Sequence, residues 1–277
     1  MPYTPLQLAE AFIQTGELQD ALDALNQHLD VNPADDNARR MRAQVLMRKR
    51  RLEDLLAALS DLKQLGTPSM QDRLTVAILM EQIGDFQAAV DTLAQLYAEH
   101  PQDEPIAERY FWMLLARGQY EQAAQILATM PRTSDWLTKA GDLATENGHE
   151  DEAPQYYTEA IKQLGVEFDL SIDNFARPIH ANLLMSRAQA YATLGKFHEA
   201  SEDYAAAQAV MPDDPLIGFW HSFVQLELGH IQEAVVTCRL ALETPNENLK
   251  SRMIDYLKSR ADNPQFAPLV GLLDEMG

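Results

Sequence analysis

The chain has 277 residues, of which 46% are hydrophobic and 23% are charged, with 12 Gly, 14 Pro and a single Cys. This composition excludes collagen-like, low-complexity and disordered chains. The formal net charge of −20 disfavours partners that present phosphate backbones or anionic lipid headgroups. Cys238 by itself forms neither an internal disulfide nor a thiolate metal site.

The chain contains no apolar run of the roughly 18 residues that a membrane span needs. Its first residues, Met1 to Pro5, also lack the basic and then apolar pattern of a secretory signal. We therefore expect a cytoplasmic protein without a membrane span and without a nucleic-acid partner.

A glycine followed by a polar and a bulky residue recurs along the chain. It stands at Gly16, Gly84, Gly118, Gly148, Gly195 and Gly229, and Arg50 fills the slot between the first two. The successive spacings are 34, 34, 34, 30, 47 and 34 residues. Each unit is predicted to be a helix, a turn at the slot and a second helix, because glycine tolerates the left-handed conformation that ends a helix.

Alanine stands five residues after nearly every slot, and a small residue usually stands seven residues before it. Small residues at fixed helical offsets allow two helix backbones to approach closely. We therefore expect these alanines to be buried against the preceding helix; they are Ala21, Ala89, Ala123, Ala153, Ala200 and Ala234.

The sixth repeat carries the pattern most completely. Its matching residues are Ala188, Tyr191, Gly195, Phe197, Ala200, Tyr204, Ala207 and Pro212. In this order of residues and in its period the chain resembles the tetratricopeptide repeat family. The resemblance implies an all-α fold, a right-handed α-solenoid of about seven helix-turn-helix repeats followed by a degenerate C-terminal helix pair.

The repeat frame predicts the domain organisation. We expect repeats one to four over residues 2–133, repeat five over 134–164, an inserted elbow over 165–180, repeats six and seven over 181–248 and capping helices over 249–277. The apolar residues of the insert are Phe168, Leu170, Ile172 and Phe175. Because a disordered insert would be more polar, this segment is predicted to be an ordered elbow or an extended helix.

The resemblance also implies that the first helices line a concave groove that holds a peptide or a helix of a partner protein. Candidate residues at inward-facing positions are Arg40, Gln44, Met47, Ile78, Trp112, Leu115, Phe219 and Phe223. Trp112 is the leading candidate, since tryptophan is enriched at binding hot spots. It could equally pack on Leu74, Ile78 or Leu115 in a structural role.

Seven of the 22 basic residues lie between Arg39 and Arg51, with no acidic residue among them. One interpretation is a docking surface, with Arg40, Arg48 and Arg51 binding an acidic segment of a partner or of another copy. The other is a solvated helix face whose charges pair with Glu53, Asp54 and neighbouring repeats.

The motifs of catalysis do not occur. The seven histidines show no metal-ligand spacing, and neither a Gly-rich phosphate loop nor a Gly-x-Ser-x-Gly sequence is present. Cys238 falls on a packing position, which predicts an inert thiol. A cluster of carboxylates in repeat five is predicted to be a solvated helix end; it comprises Asp142, Glu146, Glu150, Asp151 and Glu152.

The sequence therefore predicts a non-catalytic scaffold or adaptor without metal or cofactor, which binds a protein or peptide in the groove. The alternative is a structural or regulatory subunit that self-assembles or is integral to a larger complex.

The C-terminal region continues the helical periodicity after the glycine signal stops. One apolar stripe comprises Leu249, Met253, Tyr256 and Leu257, and another comprises Phe266, Leu269, Val270 and Leu273. An eighth, degenerate helix pair with Asn263 in its turn is one interpretation. With Leu272 and Met276 the last segment is apolar around much of its circumference, so a cover is needed. It is either the apolar face of repeat seven (Leu216, Phe219, Phe223 and Leu226) or a second copy or partner.

Overall fold

The computed structural model describes residues 3–168 and 173–276, and within these ranges every regular element is a helix. One compact unit ends at Thr129 and a second begins at Met130. None of the helices in the described ranges combines the length and the apolarity needed to cross a lipid bilayer.

The first unit is built from consecutive helix pairs, each joined by a turn at one of the predicted slots. Its helices are α1 (Pro5–Thr15), α2 (Leu18–Val31), α3 (Asp36–Lys49), α4 (Leu52–Lys63), α5 (Met70–Gln82), α6 (Phe86–Glu99), α7 (Glu104–Ala116) and α8 (Tyr120–Leu127). With 8 residues, α8 is much shorter than the 14-residue α6. This shortening accounts for the spacing of 30 after Gly118.

The second unit continues the same arrangement and ends in shorter helices. Its helices are α9 (Ser134–Glu146), α10 (Ala153–Glu167), α11 (Ala176–Thr193), α12 (Phe197–Val210), α13 (Pro215–Glu227), α14 (Ile231–Leu242), α15 (Glu247–Ser259), a 3-10 helix (Pro264–Phe266), α16 (Ala267–Val270) and α17 (Leu272–Met276).

The predicted turn positions are confirmed by the backbone. All six slot glycines have positive φ, and in the described residues Arg50, with φ 57°, is the non-glycine residue that shares this conformation. A left-handed residue ends each first helix so that the chain can reverse at once. At Arg50 the same reversal is made by a side chain that disfavours it.

The expected burial of the slot alanines is also confirmed. Ala21, Ala89, Ala123, Ala153, Ala200 and Ala234 are each 0% exposed. They stand in the first turns of the second helices, where the two helices of a pair are in contact. Because alanine carries only a methyl group, the two helices can approach closely at this point. Larger side chains fill the space between them further along the pair.

The segment between repeats five and six is helical at both of its ends. Helix α10 runs to Glu167, and α11 begins at Ala176 after Asp173 accepts hydrogen bonds from the backbone N–H groups of Phe175 and Ala176. The ring centroids of Phe168 and Phe175 lie 6.1 Å apart. Two other apolar residues of the predicted elbow, Leu170 and Ile172, lie outside the described residues.

Repeat five shows how the size of one position determines its neighbour. Gly141 in α9 faces the ring of Tyr157 in α10, and a Cβ atom at Gly141 would lie 2.6–2.9 Å from three ring atoms. The ring is buried, with 3% exposure, and its hydroxyl donates a 2.7 Å hydrogen bond to Asp142. The hydrogen bond to Asp142 and the packing against α9 hold the ring in place. In this position it leaves no room for a side chain larger than that of glycine at position 141.

The Gly141→Ala substitution should consequently lower the free energy of unfolding. Alanine is the better helix former by about 1 kcal/mol, but the added methyl group overpacks the ring, which costs about 1–3 kcal/mol. Gly218→Ala is the matched control, because a Cβ atom there would meet its nearest neighbours at 3.6 Å, an ordinary contact distance. Chemical denaturation should show a loss for Gly141→Ala and none for the control; equal stability of the two variants would contradict this account.

Candidate protein-interaction surfaces

The surface around Trp112 is open in the first unit. The Trp112 side chain is 40% exposed, and its ring packs edge-on against Phe111 with 5.2 Å between ring centroids. It borders a cleft of about 630 Å³ that also includes Phe86, which is 45% exposed, and Met113. Sequence reasoning named Trp112 but missed Phe86, because that residue begins a second helix and not a first one.

Two arginines accompany the aromatic groups of this cleft. Arg109 forms an ion pair with Glu81, and Arg117 is exposed at the end of α7. Ile78 and Leu115, which were predicted to share the surface with Trp112, are partly buried on α5 and α7. The arrangement offers an apolar contact area with cationic groups at its edge.

The basic run is largely engaged with acids of its own chain. Arg40 binds both carboxylate oxygens of Asp72 at 3.0 and 3.1 Å and donates to the carbonyl of Thr67 at 2.9 Å. Arg42 binds Asp61 through two hydrogen bonds of 2.8 and 2.6 Å. These bonds connect α3 to α4 and to α5, so the arginines hold consecutive helices together.

The end of the run is paired in the same manner. Arg51 donates to Asp54 at 2.7 Å and approaches Glu53 at 3.0 Å. The hydrogen bond from Arg51 holds the pKa of Asp54 below its usual range. Lys49 also lies 3.7 Å from Asp54. This is the internal pairing that the second interpretation of the basic run describes.

An acidic partner would therefore compete with internal carboxylates for Arg40 and Arg51. The two side chains are 31% and 59% exposed, so both can be reached from solvent. Arg48 and Gln44 are exposed, and Met47 is partly buried. A site made of these residues stays a prediction.

The apolar face of repeat seven is covered by the C-terminal region. Phe219 is 1% exposed, and its ring lies 6.0 Å from that of Tyr256 in α15. Phe223 is partly buried. The centroid of its ring lies 5.5 Å from that of Tyr256 and 5.4 Å from that of Phe266. In this arrangement Phe219 is inaccessible to a partner, because its own chain occupies the space in front of it.

The cover itself is firmly packed. Leu269 and Leu272 are 0% and 1% exposed in the same cluster, and Glu275 forms an ion pair with Arg239 of α14. Asn263 begins the 3-10 helix by accepting a hydrogen bond from the N–H of Gln265 at 3.0 Å. The sequence left two surfaces that could cover the last segment. In the structure this segment packs on the apolar face of repeat seven of its own chain.

Removing residues 264–277 should therefore expose aromatic surface and destabilise the protein. Loss of the buried Leu269 and Leu272 alone should lower the free energy of unfolding by at least about 3 kcal/mol. Fluorescence of a hydrophobic dye should rise, and thermal melts should shift downward. The control is Glu275→Ala, which removes the ion pair and keeps the apolar cover; an unchanged melt and dye signal on truncation would contradict the prediction.

Polar groups in the second unit are mainly structural. Burial raises the pKa of the Cys238 thiol to about 11, so it is protonated and unreactive at neutral pH. Burial also raises the pKa of Asp142, which accepts the hydrogen bond from Tyr157. The sequence predicted that Asp142 belongs to a solvated helix end, and for this residue the prediction is wrong. The described residues contain no cluster of His, Cys, Asp and Glu that could hold a metal ion.

Comparison with known proteins places these features in a family. Tetratricopeptide repeat family models match residues 6–67, 82–135 and 181–214. The chain is a tetratricopeptide repeat protein. Its fold is that of an α-solenoid of such repeats, which serves as a scaffold for protein–protein interaction.

Solved structures support the fold assignment. A tetratricopeptide repeat protein from Parabacteroides merdae is 16% identical with a TM-score of 0.63, and the match covers 90% of this chain and 96% of that one. The C-terminal part of a repeat protein from Cytophaga hutchinsonii is 12% identical with a TM-score of 0.62, covering 89% and 97%. PilW, described as a type IV pilus biogenesis factor, is 16% identical with a TM-score of 0.54, covering 76% and 93%. The comparison with curated proteins gave no match.

Proposed function

We propose that this tetratricopeptide repeat protein is a non-catalytic adaptor that binds a peptide or a helix of a partner protein at the surface around Trp112. The observation that carries the proposal is the exposure of Trp112, a residue that is 40% exposed and borders a cleft. A large apolar group at a position that the repeat frame predicts to face the groove would gain binding energy when a partner covers it.

The chemistry of the surface indicates the kind of segment that fits. Phe86 and Trp112 provide apolar contact for an aliphatic or aromatic anchor side chain. Arg117 is exposed at the rim and can pair with a carboxylate. The expected ligand is therefore an apolar segment with an acidic residue near its anchor, presented by a protein and not by a nucleic acid.

Catalysis is not part of the proposal. Ser201 and His221 are hydrogen bonded at 2.9 Å, but the imidazole stacks on Tyr204 with 5.8 Å between ring centroids. In the described residues no carboxylate is hydrogen bonded to this histidine to orient it as a general base. A structural role for the pair explains its contacts.

Peptides selected from a random library on the immobilised full-length protein would test the adaptor proposal. Trp112→Ala should lower the affinity for the selected peptides by about tenfold or more, which is the effect of losing a hot-spot residue. Phe175→Ala is the control, since Phe175 is another aromatic residue with 70% exposure and lies outside the cleft. Affinities from calorimetry, with thermal melts to verify folding, provide the readout.

Equal affinity of the selected peptides for Trp112→Ala and for the parent protein would refute this site. Light scattering over a range of concentrations addresses the alternative that copies of the chain assemble. A mass that stays monomeric supports the adaptor, whereas growth with concentration, reduced by Trp112→Ala, would identify the Trp112 surface as a self-association site.

A further inference from the structure

A second cleft lies in the second unit and has no role in the surfaces described above. Its volume is about 600 Å³, and it opens between α12 and α14 with α13 at its base. The residues of α13 at its base, Gly218 and His221, stand eleven and eight residues before Gly229. These are not the positions predicted to face the groove, so this cleft is a separate surface.

The cleft combines apolar lining residues with acidic residues at its edge. Leu240, which is 63% exposed, lines the cleft next to Ala241. Asp213 and Glu243 are exposed at its edge. None of the described residues that line it is a lysine or an arginine. The negative charge at the rim is therefore not neutralised from within the cleft.

The remaining polar groups of the cleft are accounted for. Asp214 caps α13 by accepting a hydrogen bond from the N–H of Leu216 at 3.0 Å. The imidazole of His221 is hydrogen bonded to Ser201, and burial lowers its pKa. At neutral pH the ring is uncharged, so it does not neutralise the carboxylates at the edge of the cleft.

Gly218 is unusual because neither the backbone nor the packing requires a glycine there. It lies inside α13 without a positive φ, and a Cβ atom would meet Gln208 and Thr237 at the ordinary distance of 3.6 Å. Glycine weakens a helix interior relative to alanine. Gly218 is buried, and its lack of a side chain leaves the space of one methyl group between Gln208 and Thr237 at the base of the cleft.

We propose that the cleft binds an arginine side chain of a partner protein. An arginine has an aliphatic stem that suits the apolar lining at Gly218 and Leu240, and a guanidinium that suits the carboxylates of Asp213 and Glu243. The net charge of −20 draws cationic segments toward the protein. The partner that fits is a basic segment with apolar neighbours around its arginine.

Nuclear magnetic resonance titration of the full-length protein with the blocked tripeptide acetyl-Leu-Arg-Leu-amide would test this proposal. The backbone amide signals of Gly218, Thr237 and Leu240 should shift. The same peptide with citrulline in place of arginine keeps the shape but has no charge, and it should bind at least about threefold more weakly. The double variant Asp213→Asn and Glu243→Gln should weaken the arginine peptide to a similar degree.

Gly218→Ala separates binding from stability. It should raise the melting temperature by about 2 °C because α13 gains helix propensity, while the arginine peptide binds at least about threefold more weakly. Three results would overturn the proposal: no shifts at these amides at millimolar peptide, equal binding of the citrulline peptide, or full binding by Gly218→Ala. Trp112→Ala should leave this titration unchanged, so the result does not depend on the fate of the adaptor proposal.

Discussion

The close approach of the two helices in every repeat is the constraint on which the structure depends. A buried alanine such as Ala200, with 0% exposure, lets the second helix lie against the first within one turn of its start. The chain must then reverse over very few residues, which is why each first helix ends in a left-handed residue. Arg50 shows that the reversal is required even where the residue disfavours it.

The same constraint determines which large side chains the repeats can hold. In repeat five the ring of Tyr157 fits because Gly141 faces it, and in repeat six Tyr204 packs in one cluster with Ala188. In repeat seven the smaller Cys238 is fully buried. At these contacts the volume is shared between two facing positions, since a close-packed interior has little room for added atoms. These residues explain stability and leave binding to other surfaces.

Charge pairing decides which parts of this acidic protein remain free to bind. Arg40, Arg42 and Arg51 are directed to Asp72, Asp61 and Asp54, so the most basic stretch of the chain holds its own helices together. The two clefts lie in different units and have opposite character. Arg117 and the Arg109–Glu81 ion pair line the apolar surface at Trp112, whereas the charged side chains that line the cleft at Gly218 are carboxylates. The proposed ligands differ in charge for this reason.

The sequence by itself determined the helix pairs, their turns and the buried alanines. Those features follow from residues within one repeat, where spacing along a helix fixes which side chains meet. Only the tertiary structure decided that Arg40 pairs with Asp72, 32 residues away, and that Phe223 contacts Phe266. It also decided that Gly141 makes room for a ring, whereas a Cβ atom at Gly218 would meet its neighbours at ordinary contact distances. Both are glycines inside a first helix, and the difference depends on which side chain of another helix packs against each of them.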